Sequence, residues 1–143
     1  MAKPEILVID DDESITATVS NYLASKGYRV TVANDSEDAL ELLDARQFAI
    51  ILSDIYIDRL TGLDILRHAR EHHAGTPVIL MTARGSVRTT VEAEMGGAFD
   101  YLAKPFDLKD LLSAIQRAER SREAQPEGEP AEDLEQFGGM IGF

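Results

Sequence analysis

Residues 6–13 read Ile6-Leu7-Val8-Ile9-Asp10-Asp11-Asp12-Glu13, four apolar residues followed directly by four acids. The apolar part has no polar alternation, which is typical of a strand in the middle of a parallel sheet, covered by helices on both faces. Ligands of open α/β sheets bind outside the carboxyl ends of the strands, so the acids here are candidates for chemistry. Asp12 and Glu13 also suit the N-terminal end of a following helix. Asp10 and Asp11 lack that explanation, because adjacent like charges need a compensating cation or proton.

Two later segments predict further interior strands, and each ends in a polar side chain. Residues 48–54 form a nearly continuous apolar run that ends at Asp54, and residues 78–82 are apolar up to Thr82. The carboxyl ends of parallel strands meet at one edge of a sheet. We therefore expect Asp54 and Thr82 near the acids that follow the first strand.

Two alternating segments, residues 28–32 and 99–104, predict the edge strands. Pro105 ends the second of them, which leaves Lys104 at its carboxyl end. Apolar residues at helical spacing predict five helices, one after each strand. Their stripes contain Ile15, Val19, Tyr22 and Leu23; Ala39, Leu40, Leu42 and Leu43; Leu63, Leu66 and Ala69; Val87 and Val91; and Leu108, Leu111, Leu112, Ile115 and Ala118.

Turn and capping residues mark the ends of these helices. Residues 34–36 (Asn-Asp-Ser) are suited to cap the second helix at its N-terminus. Gly27, Gly75 and the pair Gly96-Gly97 are placed to end the first, third and fourth helices. Five alternating βα units with right-handed crossovers predict an α/β fold, a single doubly wound domain with a five-stranded parallel sheet. The flavodoxin-like strand order 2-1-3-4-5 would place Asp10 and Asp11 beside Asp54.

Composition narrows the function classes. The 143 residues are 44% hydrophobic and include no cysteine, which excludes disulfides and thiolate metal sites. With no apolar run long enough to span a membrane and no signal peptide, we expect a cytoplasmic protein. The net charge is −12, and residues 123–143 contain six acids without a Lys or Arg. This balance argues against direct contact with nucleic acid.

The groups expected at the carboxyl edge of the sheet suit phosphoryl transfer. Three carboxylates (Asp10, Asp11 and Asp54) form a hard-oxygen site that suits Mg²⁺. A carboxylate can act as the nucleophile and form an acyl phosphate. Lys104 would supply a point charge and Thr82 a hydrogen-bond donor to phosphate oxygens.

The set Asp10-Asp11, Asp54, Thr82-Ala83, Tyr101 and Lys104-Pro105 resembles the receiver domain of bacterial two-component response regulators, over residues 4–122. The resemblance implies that Asp54 accepts a phosphoryl group from a phosphohistidine of a sensor histidine kinase. It implies that Asp11, the Asp54 side chain and the Tyr56 backbone carbonyl hold Mg²⁺, with Asp10 acting through water. Lys104 would pair with Asp54 and then with the phosphoryl group.

The resemblance also implies a switch. Thr82 would move toward the phosphate and Tyr101 would turn inward, remodelling the face made by the fourth helix, the fifth strand and the fifth helix. The Lys104–Pro105 peptide would be cis. One departure is Ile57-Asp58, where the family usually has Met-Pro. That change puts magnesium affinity and phosphoryl lifetime in doubt.

Other interpretations stay open from the sequence. Asp10-Asp11-Asp12 also resembles the Asp-x-Asp motif of haloacid-dehalogenase-type phosphatases, with Asp10 as nucleophile, and the chain could be a pseudo-receiver that only docks partners. Tyr101 could be a simple edge-strand aromatic. His68 and His72 share a helix face, but with no acid or cysteine evident as a third ligand, placement near a helix C-terminus explains them better than a metal site.

The sequence divides into a receiver domain at residues 1–123 and a tail at residues 124–143. Residues 124–133 are acidic and rich in Pro and Gly, which predicts a linker. Residues 134–143 are similar to the start of the AAA+ ATPase domain of sigma-54-dependent transcriptional activators, which would make the chain part of a nitrogen-regulation-type regulator. We also expect a homodimer through the region from the fourth to the fifth helix.

Overall fold

Strands and helices alternate through the residues that this computed structural model describes, which are 4–57, 61–83 and 87–124, with the side chains of 87–89 and 123–124 left out. The strands are β1 (Glu5–Ile9), β2 (Arg29–Ala33), β3 (Ile50–Asp54), β4 (Val78–Thr82) and β5 (Asp100–Ala103). The helices are α1 (Glu13–Ser25), α2 (Ser36–Ala45), α3 (Gly62–His72), α4 (Val87–Met95) and α5 (Leu108–Ala124).

The strands form one parallel sheet in the order β2-β1-β3-β4-β5. This confirms the predicted doubly wound fold, with β2 and β5 at the edges. The register pairs Ile9 with Ser53, Asp54 with Met81, and Thr82 with Ala103. Each of the strands β1, β3, β4 and β5 thus ends within one residue of its neighbour, and the residues that follow these strands share one edge of the sheet.

The four apolar residues of β1 are completely buried because helices cover both faces of the sheet. Ile6 and Val8 belong to the core on the side of α1 and α5, whereas Leu7 and Ile9 belong to the core on the side of α2 and α3. Full burial of each such side chain contributes about 1.5–3 kcal/mol relative to exposure. The apolar run of β1, which has no polar alternation, thus reflects a strand that lies between two cores, one on each face of the sheet.

Side-chain caps begin the first three helices. Asp12 caps α1 and accepts hydrogen bonds from the Ser14 and Ile15 amides, at 3.0 and 3.4 Å. Asp35 caps α2, and Thr61 forms a capping box with Asp64 at α3. The expected helix-terminal position of Asp12 is therefore observed. Thr61 was not among the predicted caps.

The observed start of β3 and end of α3 differ from the predicted ones. β3 begins at Ile50 rather than at residue 48: its register with β1 starts at the pair Ile6 and Ile50, although the Ala49 amide already donates to the Glu5 carbonyl (2.9 Å). α3 ends at His72, short of Gly75, with the His73 amide donating to the Ala69 carbonyl at 2.7 Å. Gly27 and Gly97 follow α1 and α4 with φ of 96° and 91°, so these helix ends are as predicted.

Residue Asp58, the tail after residue 124 and the Val87 side chain lie outside the described residues. The predicted linker and the start of a further domain therefore stay predictions. No helix in the described ranges has both the length and the apolar composition needed to cross a membrane.

Candidate functional site

Three carboxylates lie close together at the carboxyl edge of the sheet, where the neighbouring strands β1 and β3 end. Asp10 and Asp11 directly follow β1, and Asp54 is the last residue of β3. One carboxylate oxygen from each residue lies within 4.8 Å of the others. The Asp10 side chain is completely buried, that of Asp54 is 9% exposed, and Asp11 is exposed to solvent. The predicted neighbours are thus brought together by the strand order.

Lys104, directly after β5, reaches across the ends of β4 and β3 to these acids. Its Nζ donates to Asp10 Oδ2 at 2.7 Å and to Asp54 Oδ2 at 3.2 Å. Its backbone amide donates to the Thr82 carbonyl at 2.8 Å, and its peptide bond to Pro105 is cis, as predicted. The Lys104 ammonium therefore links two acids that come from separate strands.

Burial and neighbouring charges shift the pKa values of Asp54 and Lys104. Burial and the negative charge of Asp10 raise the pKa of Asp54 above its ordinary value of 3.8, although Lys104 opposes the shift. Burial disfavours the charged form of Lys104, but its hydrogen bonds and ion pairs with Asp10 and Asp54 outweigh that effect and raise its pKa. Burial and the charge of Asp10 thus disfavour the ionised form of Asp54 more than Lys104 favours it.

The Asp54→Asn variant is expected to be more stable than the wild type at pH 7 in metal-free buffer, by on the order of 1 kcal/mol. A carboxyl whose pKa is raised on folding stabilises the native state below its unfolded pKa, near 3.8, and this contribution disappears as pH rises through the folded pKa. The stability gap should therefore narrow as pH is lowered from 7 toward 4. Urea unfolding at both pH values measures it, and equal gaps would contradict the electrostatic explanation.

Several supporting contacts were not anticipated from the sequence. The Asp12 amide donates to Asp10 Oδ1 at 2.9 Å. Asn34, expected to cap α2, instead donates through Nδ2 to the Asp10 carbonyl (2.9 Å) and to Thr16 Oγ1 (3.1 Å). These bonds hold the turn after β1 against the turn after β2. An asparagine directly after a strand was the only sequence signal for this role.

Gly62, the first residue of α3, packs directly against the strand that carries Asp54. Its amide donates to the Ile55 carbonyl at 2.7 Å. A Cβ at this position would lie 2.4 Å from the Asp54 carbonyl oxygen and 2.8 Å from Ile55 Cα. The close approach of backbone to backbone therefore requires glycine, a role that the sequence analysis did not recognise.

The remaining predicted residues lie on β4, on β5 and in the segment that follows β3. Thr82 ends β4 and is 1% exposed. Tyr56 is 39% exposed, and its amide is 3.4 Å from Asp54 Oδ1. Tyr101 is half-buried in β5, and within the described ranges its buried hydroxyl has no hydrogen-bond partner. A buried hydroxyl without a hydrogen-bond partner is energetically unfavourable.

The donor set fits a hard divalent cation. All three clustered side chains offer carboxylate oxygen, which suits Mg²⁺ better than a soft metal. Asp10 is buried and bonded to Lys104, whereas Asp11 is open to solvent. Asp11 and Asp54 are therefore better placed than Asp10 to bind a cation directly.

Fold and site together define a doubly wound α/β domain of the flavodoxin-like kind, with an acidic site at its switch point. The chain belongs to the response regulator receiver domain family, whose model matches residues 6–116.

Full-length relatives extend the comparison. The chain is 41% identical to the regulatory protein AtoC of Escherichia coli strain K12 over 113 residues, which are 79% of this chain and 24% of AtoC. It is 35% identical to the DNA-binding transcriptional regulator NtrC of Proteus hauseri over 143 residues, which are 99% of this chain and 30% of NtrC. The chain thus spans less than a third of the length of each of these two relatives.

Solved structures agree with the fold. A CheY-like receiver domain protein from Methanospirillum hungatei superposes with a TM-score of 0.83 at 28% identity, covering 85% of this chain and 98% of that one. The beryllofluoride-activated NtrC4 receiver domain dimer gives a TM-score of 0.79 at 31% identity, covering 82% and 98%.

Proposed function

We propose that this receiver domain accepts a phosphoryl group on Asp54 from a phosphohistidine of a sensor histidine kinase. The observation that carries the proposal is the grouping of Asp10, Asp11 and Asp54 with the Lys104 ammonium at one sheet edge. Among these acids, Asp54 is close to Lys104 yet still partly open, with 9% of its side chain exposed. It is therefore the acid best suited to meet a donor.

The cation in this proposal is Mg²⁺, held by Asp11, the Asp54 side chain and the Tyr56 backbone carbonyl, with Asp10 acting through water. When bound, it supplies positive charge that offsets the charge on the transferred phosphoryl oxygens. The raised pKa of Asp54 supports such a role, since burial and the charge of Asp10 disfavour its ionised form more than Lys104 favours it, and a cation would add to the effect of Lys104.

In the transfer step, an Asp54 carboxylate oxygen forms a bond to phosphorus as the phosphorus–nitrogen bond of the donor breaks. The electron pair of that bond stays on the histidine ring, which takes up a proton from solvent. Lys104 Nζ, 3.2 Å from Asp54 Oδ2, is placed to pair with a phosphoryl oxygen after transfer. Asp10 holds that ammonium through its 2.7 Å hydrogen bond, so it positions Lys104.

The switch that follows is proposed to use Thr82 and Tyr101. Thr82 would move toward the phosphoryl group, and Tyr101 would turn further inward from the edge strand. The half-buried ring and unsatisfied hydroxyl of Tyr101 support a residue that can occupy more than one position. The face made by α4, β5 and α5 would change as a result.

The proposal also includes the oligomeric state, the attached output domain and the cellular location. We propose a homodimer through the α4 to α5 region, in line with the dimer described for the NtrC4 receiver. The domain boundary would fall after residue 123, with residues 124–143 leading to an output domain of a sigma-54-dependent transcriptional activator. The match to NtrC over 143 residues supports that output. The domain would act in the cytoplasm without touching nucleic acid itself.

The test is intact-protein mass after incubation with a small acyl phosphate, with and without Mg²⁺. We expect one hydroxylamine-labile phosphoryl group on the wild type in the presence of Mg²⁺ and none on Asp54→Asn, because the nucleophile is then absent. Asp10→Asn serves as the matched variant, since it removes a neighbouring acid and should slow labelling without abolishing it.

Two results would replace the proposal. Labelling that persists in Asp54→Asn and vanishes in Asp10→Asn would establish Asp10 as a phosphatase-type nucleophile. A folded wild type that never accepts phosphate, from the acyl phosphate or from a sensor kinase, would be a pseudo-receiver that only docks partners.

A further inference from the structure

We propose that Asn34 is a positioning residue for phosphoryl transfer. Through its hydrogen bond to the Asp10 carbonyl, it fixes the peptide group between Asp10 and Asp11 and so places the Asp11 carboxylate for Mg²⁺. This role rests on the proposed function and deepens it, because it concerns the same acidic cluster. Asn34 directly follows the edge strand β2 and is not one of the clustered acids.

Hydrogen bonds reach Asp10 at its backbone and at its side chain, and two of them come from the turn after β2. The Asp10 amide donates to the Ala33 carbonyl at 3.1 Å, and the Asp10 carbonyl accepts from Asn34 Nδ2 at 2.9 Å. The Asp10 side chain accepts from the Asp12 amide (2.9 Å) and from Lys104 Nζ (2.7 Å). Asn34 therefore ties the backbone of the residue that holds Lys104 to the loop that precedes α2.

The Asp10 carbonyl belongs to the same peptide group as the Asp11 amide. A peptide group is planar, so a bond that fixes the direction of this carbonyl also fixes the Asp11 Cα relative to Asp10. Asp11 is exposed to solvent, whereas the Asp10 side chain is completely buried. Without the bond from Asn34, the Asp11 carboxylate would have more conformational freedom, and the cost of ordering it would oppose cation binding.

The side-chain amide of Asn34 donates twice. Its second bond runs from Nδ2 to Thr16 Oγ1 at 3.1 Å, and Thr16 is buried on α1. An amide nitrogen has two donor hydrogens, whereas a hydroxyl has one and an ionised carboxylate has none. Capping of α2 falls to Asp35, so capping does not account for an asparagine at position 34. Its two donors, which join the turn after β1 to the first part of α1, do account for it.

The test is titration of the wild type and Asn34→Ala with Mg²⁺, followed by backbone amide NMR in the absence of a phosphoryl donor. We expect Asn34→Ala to bind Mg²⁺ roughly tenfold more weakly, the lower end of the effect of removing an outer hydrogen-bond partner at a metal site. In labelling by a small acyl phosphate, the loss of rate in this variant should be larger at low Mg²⁺ than at saturating Mg²⁺.

Tyr28→Phe is the matched control, because it removes the side-chain hydrogen bond from the Tyr28 hydroxyl to Glu119 Oε1 (2.7 Å). Tyr28 directly precedes β2, at the amino edge of the sheet, away from the acids at the carboxyl edge. The Tyr28→Phe variant should bind Mg²⁺ as the wild type does. Equal weakening in Tyr28→Phe and Asn34→Ala would show only a general loosening of the fold and would overturn the role of Asn34.

Asn34→Asp keeps the shape of the side chain but replaces its donor group with an acceptor oxygen. We expect weaker Mg²⁺ binding than in the wild type, because the bond to the Asp10 carbonyl is lost. Tighter binding would show that added negative charge governs the site and would overturn the role of Asn34.

Failure of this role is distinguishable from failure of the proposed function. If the wild type binds Mg²⁺ and is labelled on Asp54 while Asn34→Ala binds Mg²⁺ equally well, only the role of Asn34 is removed. A wild type that binds no Mg²⁺ would remove both.

Discussion

Replacing Lys104 by methionine is expected to slow phosphoryl transfer to Asp54 by roughly 100-fold, which is the effect of removing a preorganised charge-stabilising group from an enzyme active site. Lys104 Nζ is 2.7 Å from Asp10 Oδ2 and 3.2 Å from Asp54 Oδ2. Methionine keeps much of the side-chain volume but cannot pair with a phosphoryl oxygen. The measurement is the initial rate of Mg²⁺-dependent labelling by a small acyl phosphate.

Stability should fall in the same variant, by up to about 3 kcal/mol in metal-free buffer, because two enclosed carboxylates lose their cation. Lys109→Met is the matched control, since Lys109 is exposed on α5. It should match the wild type in both labelling rate and unfolding midpoint. If Lys104→Met labelled as fast as Lys109→Met, the ammonium would have no part in the transfer.

Gly62→Ala is expected to destabilise the fold by about 3 kcal/mol, at the upper end of the usual range for overpacking. The added Cβ would lie 2.4 Å from the Asp54 carbonyl oxygen and 3.0 Å from the Asp54 carbonyl carbon. Both are backbone atoms of a buried central strand, so neither can move aside as a flexible side chain would. Displacement of this carbonyl would also move Asp54, so the labelling rate should fall together with the unfolding midpoint.

Gly75→Ala is the matched control, because no atom lies within 4 Å of its added Cβ and its φ is outside the left-handed region. Alanine there should be neutral or stabilising by about 0.4–1 kcal/mol through the unfolded state. Urea unfolding of both variants separates the contact at Gly62 from a general effect of replacing glycine. Equal stability of the two variants would show that α3 can shift away from β3 without loss.

Much of the fold could be predicted because β1 and β4 are buried on both faces, and their apolar runs record that burial directly. The expected strand order is the common one for a small doubly wound sheet, and right-handed crossovers leave few alternatives for five βα units. The boundary of β3 was less predictable, because Phe48 and Ala49, which precede the strand, are buried as well. An apolar run in the sequence indicates that its residues are buried. A buried residue need not belong to the hydrogen-bonded ladder of a strand.

The sequence by itself determined the sheet, its two cores and the meeting of Asp10, Asp11 and Asp54, because local periodicity sets each element and parallel strands end at a common edge. The pairing of Lys104 with Asp54 was expected from the resemblance, but only the tertiary structure decided that Lys104 also contacts Asp10, 94 positions away. The same holds for the contact of Asp44 with His68, 24 positions away. Such contacts depend on how loops and helix packing orient side chains, and no local pattern in the chain encodes that orientation.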